Sequence, residues 1–147
     1  MEILMIQQGH PLWDKVIPFA QNCSWAAGPI VAERMRTNAF RDRERVIIAA
    51  DGGEIAGYCM FSERDELPEE YTFTPFISAV FVGERYRGNR LSQRMIEEGI
   101  HYAKGLGYHR IYIMSGEHGL YEKYGFTKQG EYETVYGTVD QLFQRDI

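Results

Sequence analysis

The sequence predicts an α+β fold in three layers: a mixed, mostly antiparallel central sheet flanked by helices. Two observations lead there. Three runs rich in apolar and β-branched residues follow one another at residues 45–51, 55–61 and 72–82, as strands joined by short connections do. A strand–helix–strand sequence across residues 72–114 then requires a crossover, and with it a parallel pair. The full order reads β, α, α, β, β, β, α, β, α, β.

Glu2 to Gln7 reads as a short first strand. Pro11 suits a first helical position, where its missing N–H costs nothing. Leu12, Val16, Phe19, Ala20 and Cys23 then share one helix face, which Pro18 should kink. A second helix is expected from about Pro29 to Asn38. The runs Arg45–Asp51 and Ile55–Phe61 are joined by Asp51-Gly52-Gly53-Glu54, a hairpin signal because glycine enters the positive-φ region that a tight turn needs. Residues 63–70 hold five acids and a proline and read as a loop, after which Thr72–Val82 returns as a long strand.

From Gly88 to Leu106 the apolar residues Leu91, Met95, Gly99, Tyr102 and Leu106 recur at helical spacing, with Ile96, Ile100 and Ala103 widening the stripe. Gly105 and Gly107 are placed to end that helix. Arg110–Met114 is a compact strand and Glu117–Tyr124 a short helix ended by Gly125. Phe126 opens one or two further strands that finish near Tyr136.

At 147 residues, with no repeat or Gly/Ser linker, the chain suits one domain over 1–147. Its net charge is −5, a poor basis for gripping nucleic acid, whose affinity comes from phosphate neutralisation by Lys and Arg. Cys23 and Cys59 form no CxxC or disulfide pattern. No metal-site spacing involves His10, His101, His109 or His118, so no metal is expected. The start MEILMIQQGHPLW lacks the basic and long apolar parts of a signal peptide, and no run has the length to span a bilayer. A cytoplasmic protein with no membrane or nucleic-acid partner is expected; homodimerisation is left open.

Chemistry concentrates where the strand ending at Val82 runs through Gly83-Glu84-Arg85-Tyr86-Arg87-Gly88-Asn89-Arg90 into the long helix. Free N–H groups and the helix dipole make such a turn an anion site. Residues 84–94 carry four arginines against one acid, a local charge of +3 in an acidic chain. A bound phosphate explains the reversal, and so does a solvated basic helix start. Gly83-x4-Gly88 imitates a Walker A loop, but Asn89-Arg90 stand where Lys and Ser/Thr should follow. No GxGxxG follows a strand either, which excludes the dinucleotide fingerprint.

Arg85-Tyr86-Arg87-Gly88-Asn89-Arg90 resembles the pyrophosphate motif of the GNAT superfamily, Gln/Arg-x-x-Gly-x-Gly/Ala, except that Arg90 stands where the family has a small residue. Gly119-Leu-Tyr-Glu-Lys-Tyr-Gly-Phe126 is similar to the family's late block, with Tyr121 lying 31 residues beyond Arg90. Together the two motifs extend the resemblance over residues 45–136.

The resemblance implies direct transfer of an acetyl group from acetyl-CoA to a primary amine, on a small molecule or a peptide, in a ternary complex. It implies cofactor contacts from Val80, Phe81, Val82, Arg85, Arg87, Gly88, Asn89, Arg90, Leu91 and Ser92. The pantetheine would pair with the strand edge at Val80–Val82, where a backbone N–H can polarise the thioester carbonyl. The CoA-binding core is expected over about 72–136, and helices within 10–38 on the acceptor side.

Tyr121 is implied as the general acid that protonates the departing thiolate, the other reading being a packing tyrosine as for Tyr124. Glu63, Glu70 and His118 are candidate bases, and a water chain is an alternative. The five acids of 63–70 suit a cationic acceptor such as a polyamine, an aminoglycoside-like amine or a lysine side chain, or simply a solvated loop. Trp13, Trp25, Tyr71 and Phe73 either line the acceptor cleft or pack in the core. A catalytically weak acyl-CoA-binding module with a sensing or regulatory role is the second reading, and a protein–protein module the third.

Overall fold

Gly52 and Gly53, at φ +58° and +94°, turn β2 (Arg45–Asp51) into β3 (Glu54–Ser62), and Asp51 faces Glu54 across the turn. This is the two-residue hairpin that the glycine pair predicts. The computed structural model describes residues 1–147. Before the hairpin come β1 (Glu2–Ile6), α1 (Trp13–Gln21) and α2 (Gly28–Arg36). After it come β4 (Phe76–Val82), α3 (Leu91–Gly105), β5 (Arg110–Ser115), α4 (Leu120–Lys123), β6 (Thr127–Glu133) and β7 (Val139–Asp146). The seven strands form one sheet in the order β1-β2-β3-β4-β5-β7-β6, antiparallel throughout except for the β4–β5 pair.

Period-two alternation along β2 sorts the core onto the two faces of the sheet. Val46, Ile48 and Ala50 pack with Val16, Ala20, Val31 and Met35 of α1 and α2. Ile47 and Ala49 face the opposite way, onto Met95, Ile96 and Ile100 of α3. Gly99 lets α3 approach closely, since a Cβ there would lie 2.3 Å from Ile77 Cδ1 and 3.2 Å from Ile47 Cδ1. No helix is long and apolar enough to cross a membrane.

Three boundaries correct the sequence reading. The strands do not finish near Tyr136: β7 continues to Asp146 and inserts between β5 and β6. Its segment VDQLFQRD has little apolar alternation. Pairing on both sides, not local pattern, makes it a strand. Residues 72–75 are irregular, so β4 starts at Phe76. α3 starts at Leu91 instead of Gly88, because Gly88 (φ +87°) and Arg90 (φ +56°) are both left-handed.

Candidate active site

The site begins as an irregularity in β4. Tyr58 pairs with Phe81 and Met60 with Ser78, so Cys59 alone faces both Ala79 and Val80. Ala79 absorbs the extra residue at φ +55°. A bulge sharpens the local twist and re-aims the strand. β4 consequently meets its parallel neighbour β5 at one pair, Phe76–Tyr112. Beyond it the strands diverge and leave a cleft of about 1190 Å³.

Val80, Phe81 and Val82 form one wall of this cleft. Arg87, Gly88, Arg90, Leu91 and Ser92 close one end of it. A 3-10 turn, Glu84–Tyr86, carries the chain from β4 to that end. No side chain caps α3, so the N–H groups of its first turn are open toward a ligand. The arginines differ in what they already hold. Arg87 Nε donates to the Val82 carbonyl at 3.1 Å, and Arg85 lies 3.9 Å from Glu54.

At the other side stands Tyr121, 5% exposed, its ring against Phe126 and Phe143 yet lining the cleft. Burial holds its phenol above the ordinary tyrosine value; the Ser115 side chain opposes this, and Cys59, Glu117 and Tyr124 add to it. A phenol so held keeps its proton at neutral pH and remains a hydrogen-bond and proton donor to the cleft. Tyr124 also lines the cleft, and its hydroxyl lies 2.7 Å from Ser92 Oγ.

A second cleft, of about 610 Å³, lies between α2, the 63–70 loop and the β6–β7 turn. It joins the first at Trp25, Ala27, Glu66 and Ala79, the residues that line both. Glu66 is the one ionisable group among those four. Its carboxyl is pushed up to about 8, by burial first, then by hydrogen bonding to Asp140 and by the charges of Asp65 and Asp140. Asp65 is pushed up to about 7 by burial, with the Glu66 N–H and Arg34 opposing and Asp140 adding. Such a cluster can take up a proton near neutral pH.

The profile of the acetyltransferase (GNAT) family matches residues 13–126. The chain belongs to the GNAT acetyltransferase family. The Uncharacterized N-acetyltransferase YhbS of Escherichia coli (strain K12) is 28% identical over 81 residues, 55% of this chain and 47% of that protein. The match thus spans about half the length of that curated relative. Among solved structures, an aminoglycoside 6'-acetyltransferase type Ii superposes with a TM-score of 0.77 at 18% identity, over 99% of this chain and 97% of that one. An aminoglycoside 6'-N-acetyltransferase complexed with coenzyme A gives 0.75 at 16%, over the same 99% and 97%. At such identities the likeness is one of fold.

Of the GNAT-type cofactor residues expected from sequence, the cleft gathers Val80, Phe81, Val82, Arg87, Gly88, Arg90, Leu91 and Ser92, together with Tyr121. Arg85 and Asn89 lie outside its lining; Asn89 Nδ2 donates to the Tyr86 carbonyl at 3.1 Å. The candidate bases are elsewhere. Glu63 pairs with Arg41 at 3.4 Å, and Glu70 and His118 are exposed off both clefts. Trp25 lines both clefts, whereas Trp13, the first residue of α1, is buried against Phe40, and Tyr71 and Phe73 pack on Tyr132. Neither Glu66 nor Asp140 stands out in the sequence, because the contact that unites them spans the 63–70 loop and β7.

Proposed function

We propose that this GNAT protein transfers an acetyl group from acetyl-CoA to a primary amine, directly, in a ternary complex. The observation that carries the proposal is the opening of β4 from β5 beyond Phe76–Tyr112, between the arginine turn and Tyr121. The pantetheine would lie along Val80–Val82, adding to the sheet edge. The pyrophosphate would rest on the first turn of α3, with Arg87, Gly88, Arg90 and Ser92 beside it. In this reading residues 1–147 act as one domain, with about 72–136 as the CoA side and helices within 10–38 on the acceptor side.

The acceptor would enter through the second cleft and meet the thioester at Glu66. Its ammonium gives one proton to the Glu66 carboxylate, and the freed nitrogen attacks the carbonyl carbon. The C–N bond forms, the C–S bond breaks, and the Tyr121 proton passes to sulfur. The nitrogen's remaining excess proton restores the phenol through solvent. The products are the amide and CoA thiol, with one proton released.

An amine panel with free-thiol detection tests the proposal. Tyr121→Phe is expected to lower kcat about 100-fold with little change in amine KM. An unchanged kcat over the pH range would remove Tyr121 from the chemistry. Tight acetyl-CoA binding without transfer to any amine would favour the sensing module instead.

A further inference from the structure

The second cleft divides into an apolar mouth and an acidic inner end. Ile30, Val135 and Tyr136, at 58%, 59% and 66% exposed, form the mouth. They are three of the five large apolar residues that the chain leaves exposed, the others being Met1 and Val139. Scattered exposed apolar residues need no explanation, but convergence on one opening does. Inside, Trp25, Phe40, Met60 and Ala79 continue the apolar wall as far as Glu66.

The arginines of this cleft are already engaged. Arg34 donates to Glu44 at 2.9 Å and to the Ala39 carbonyl at 3.0 Å, with its guanidinium over the Phe40 ring. Arg41 pairs with Glu63, and Arg64 donates to the Tyr71 and Glu69 carbonyls. Glu44 is itself saturated, accepting also from the N–H groups of Arg41 and Glu63, each at 2.8 Å. The carboxyl groups of this cleft that no arginine pairs are therefore those of Asp65 and Glu66, with Asp140 beside Glu66. Mouth and carboxylate are tied together, because the Val135 N–H donates to the Glu66 carbonyl at 2.8 Å.

From this we infer that the second cleft accepts a primary amine carried on one apolar body, an alkyl or aryl amine, and not a polycation. The inference rests on the acetyl-transfer reading for its chemistry, but the fit is a property of the cleft. The ammonium would meet Glu66 while the apolar body covers Trp25, Ile30 and Tyr136. A second ammonium further along the same ligand, away from Asp65 and Glu66, would meet Arg34, Arg41 and Arg64, where the carboxylates Glu44 and Glu63 are already paired.

The test compares hexylamine and phenethylamine with spermidine, kanamycin and phenylalanine. Each is followed by free-thiol release with acetyl-CoA, and by Trp25 fluorescence without it, using Trp25→Phe as the control. The apolar monoamines should lead in kcat/KM by at least about tenfold. Tyr136→Asp and Ile30→Asp, both at exposed positions, should raise their KM about tenfold and leave acetyl-CoA affinity unchanged. Equal or better turnover of spermidine, kanamycin or phenylalanine overturns the inference, as does indifference to both aspartates. Failure to bind acetyl-CoA would sink the transfer reading alone. The fluorescence titrations would still decide the occupant: saturation by phenethylamine but not spermidine supports the inference, and the reverse overturns it.

Discussion

The hydroxyls of Ser92 and Tyr124 lie 2.7 Å apart, joining the first turn of α3 to the residue that follows α4. Ser92, two residues past the arginine motif, and Tyr124 of the late block therefore meet at one hydrogen bond. Tyr124 does more than pack. It braces the helix start against which a pyrophosphate would rest, and both residues line the cleft. Tyr124→Phe keeps the ring and loses the bond, so a destabilisation of about 1 kcal/mol is expected in urea titration. Ser92→Ala should cost a similar amount. The double variant should be little worse than either single one if the two hydroxyls act as a pair.

Glu66 should make stability and activity respond to pH in opposite directions. Its folded-state value of about 8 lies above the ordinary glutamate value of about 4.3. Between those values the folded state holds the extra proton, so the contribution to stability is full below about 4.3 and is lost as pH rises through about 8. Asp65, at about 7, acts in the same sense over a narrower window. Glu66→Gln cannot ionise. It should melt higher than wild type at pH 8.5, gain little at pH 4.5, and lose most acetyl transfer. Wild-type kcat/KM should rise with pH through the same region, as the carboxylate becomes available. A Glu66→Gln variant with wild-type turnover would exclude it as the proton acceptor.

Gly57 tests the strand that lines the CoA side of the cleft. It faces Val82 in register, and a Cβ there would lie 2.7 Å from the Phe81 carbonyl oxygen and 3.3 Å from Val82 Cα. Both are backbone atoms, so relief requires β4 itself to move. Gly57→Ala should cost about 1–3 kcal/mol by denaturant melt and raise the KM for acetyl-CoA. Gly99→Ala is the control. The atom it would meet most closely is Ile77 Cδ1, the end of a flexible side chain, so a smaller loss with no change in that KM is expected.

Much of this architecture can be read locally. The Gly52-Gly53 hairpin, the stripe of α3 and the arginine turn each depend on residues close in sequence, and each stands where the pattern puts it. What escaped depends on distant pairing. β7 is a strand because β5 and β6 flank it, and the bulge at Ala79 exists because Cys59 faces two residues across the sheet. The cluster of Asp65, Glu66 and Asp140 is likewise invisible in the 63–70 loop alone. Five acids there look equivalent until Asp140, 74 residues beyond Glu66 and on β7, distinguishes Glu66 from the rest.

Arg90 is the residue in the turn whose backbone and side chain make opposite demands. At φ +56° it occupies a left-handed conformation that costs a non-glycine residue about 1 kcal/mol or more, which explains the small residue the family motif has there. Its guanidinium meets neither an acid nor a carbonyl, whereas Arg85, Arg87 and Arg94 lean on Glu54, the Val82 carbonyl and the Met1 carbonyl. A strained backbone that presents an uncommitted cation into a cleft suits a ligand contact. Arg90→Gly should therefore raise the melting temperature of the free protein, by a stability gain of about 0.5–1 kcal/mol. The same change should weaken acetyl-CoA binding about tenfold in calorimetry, the loss of one charge-assisted hydrogen bond. Higher stability with unchanged affinity would leave the side chain without a phosphate to hold, and Gly88, Arg87 and the α3 N–H groups would carry that end of the cofactor alone.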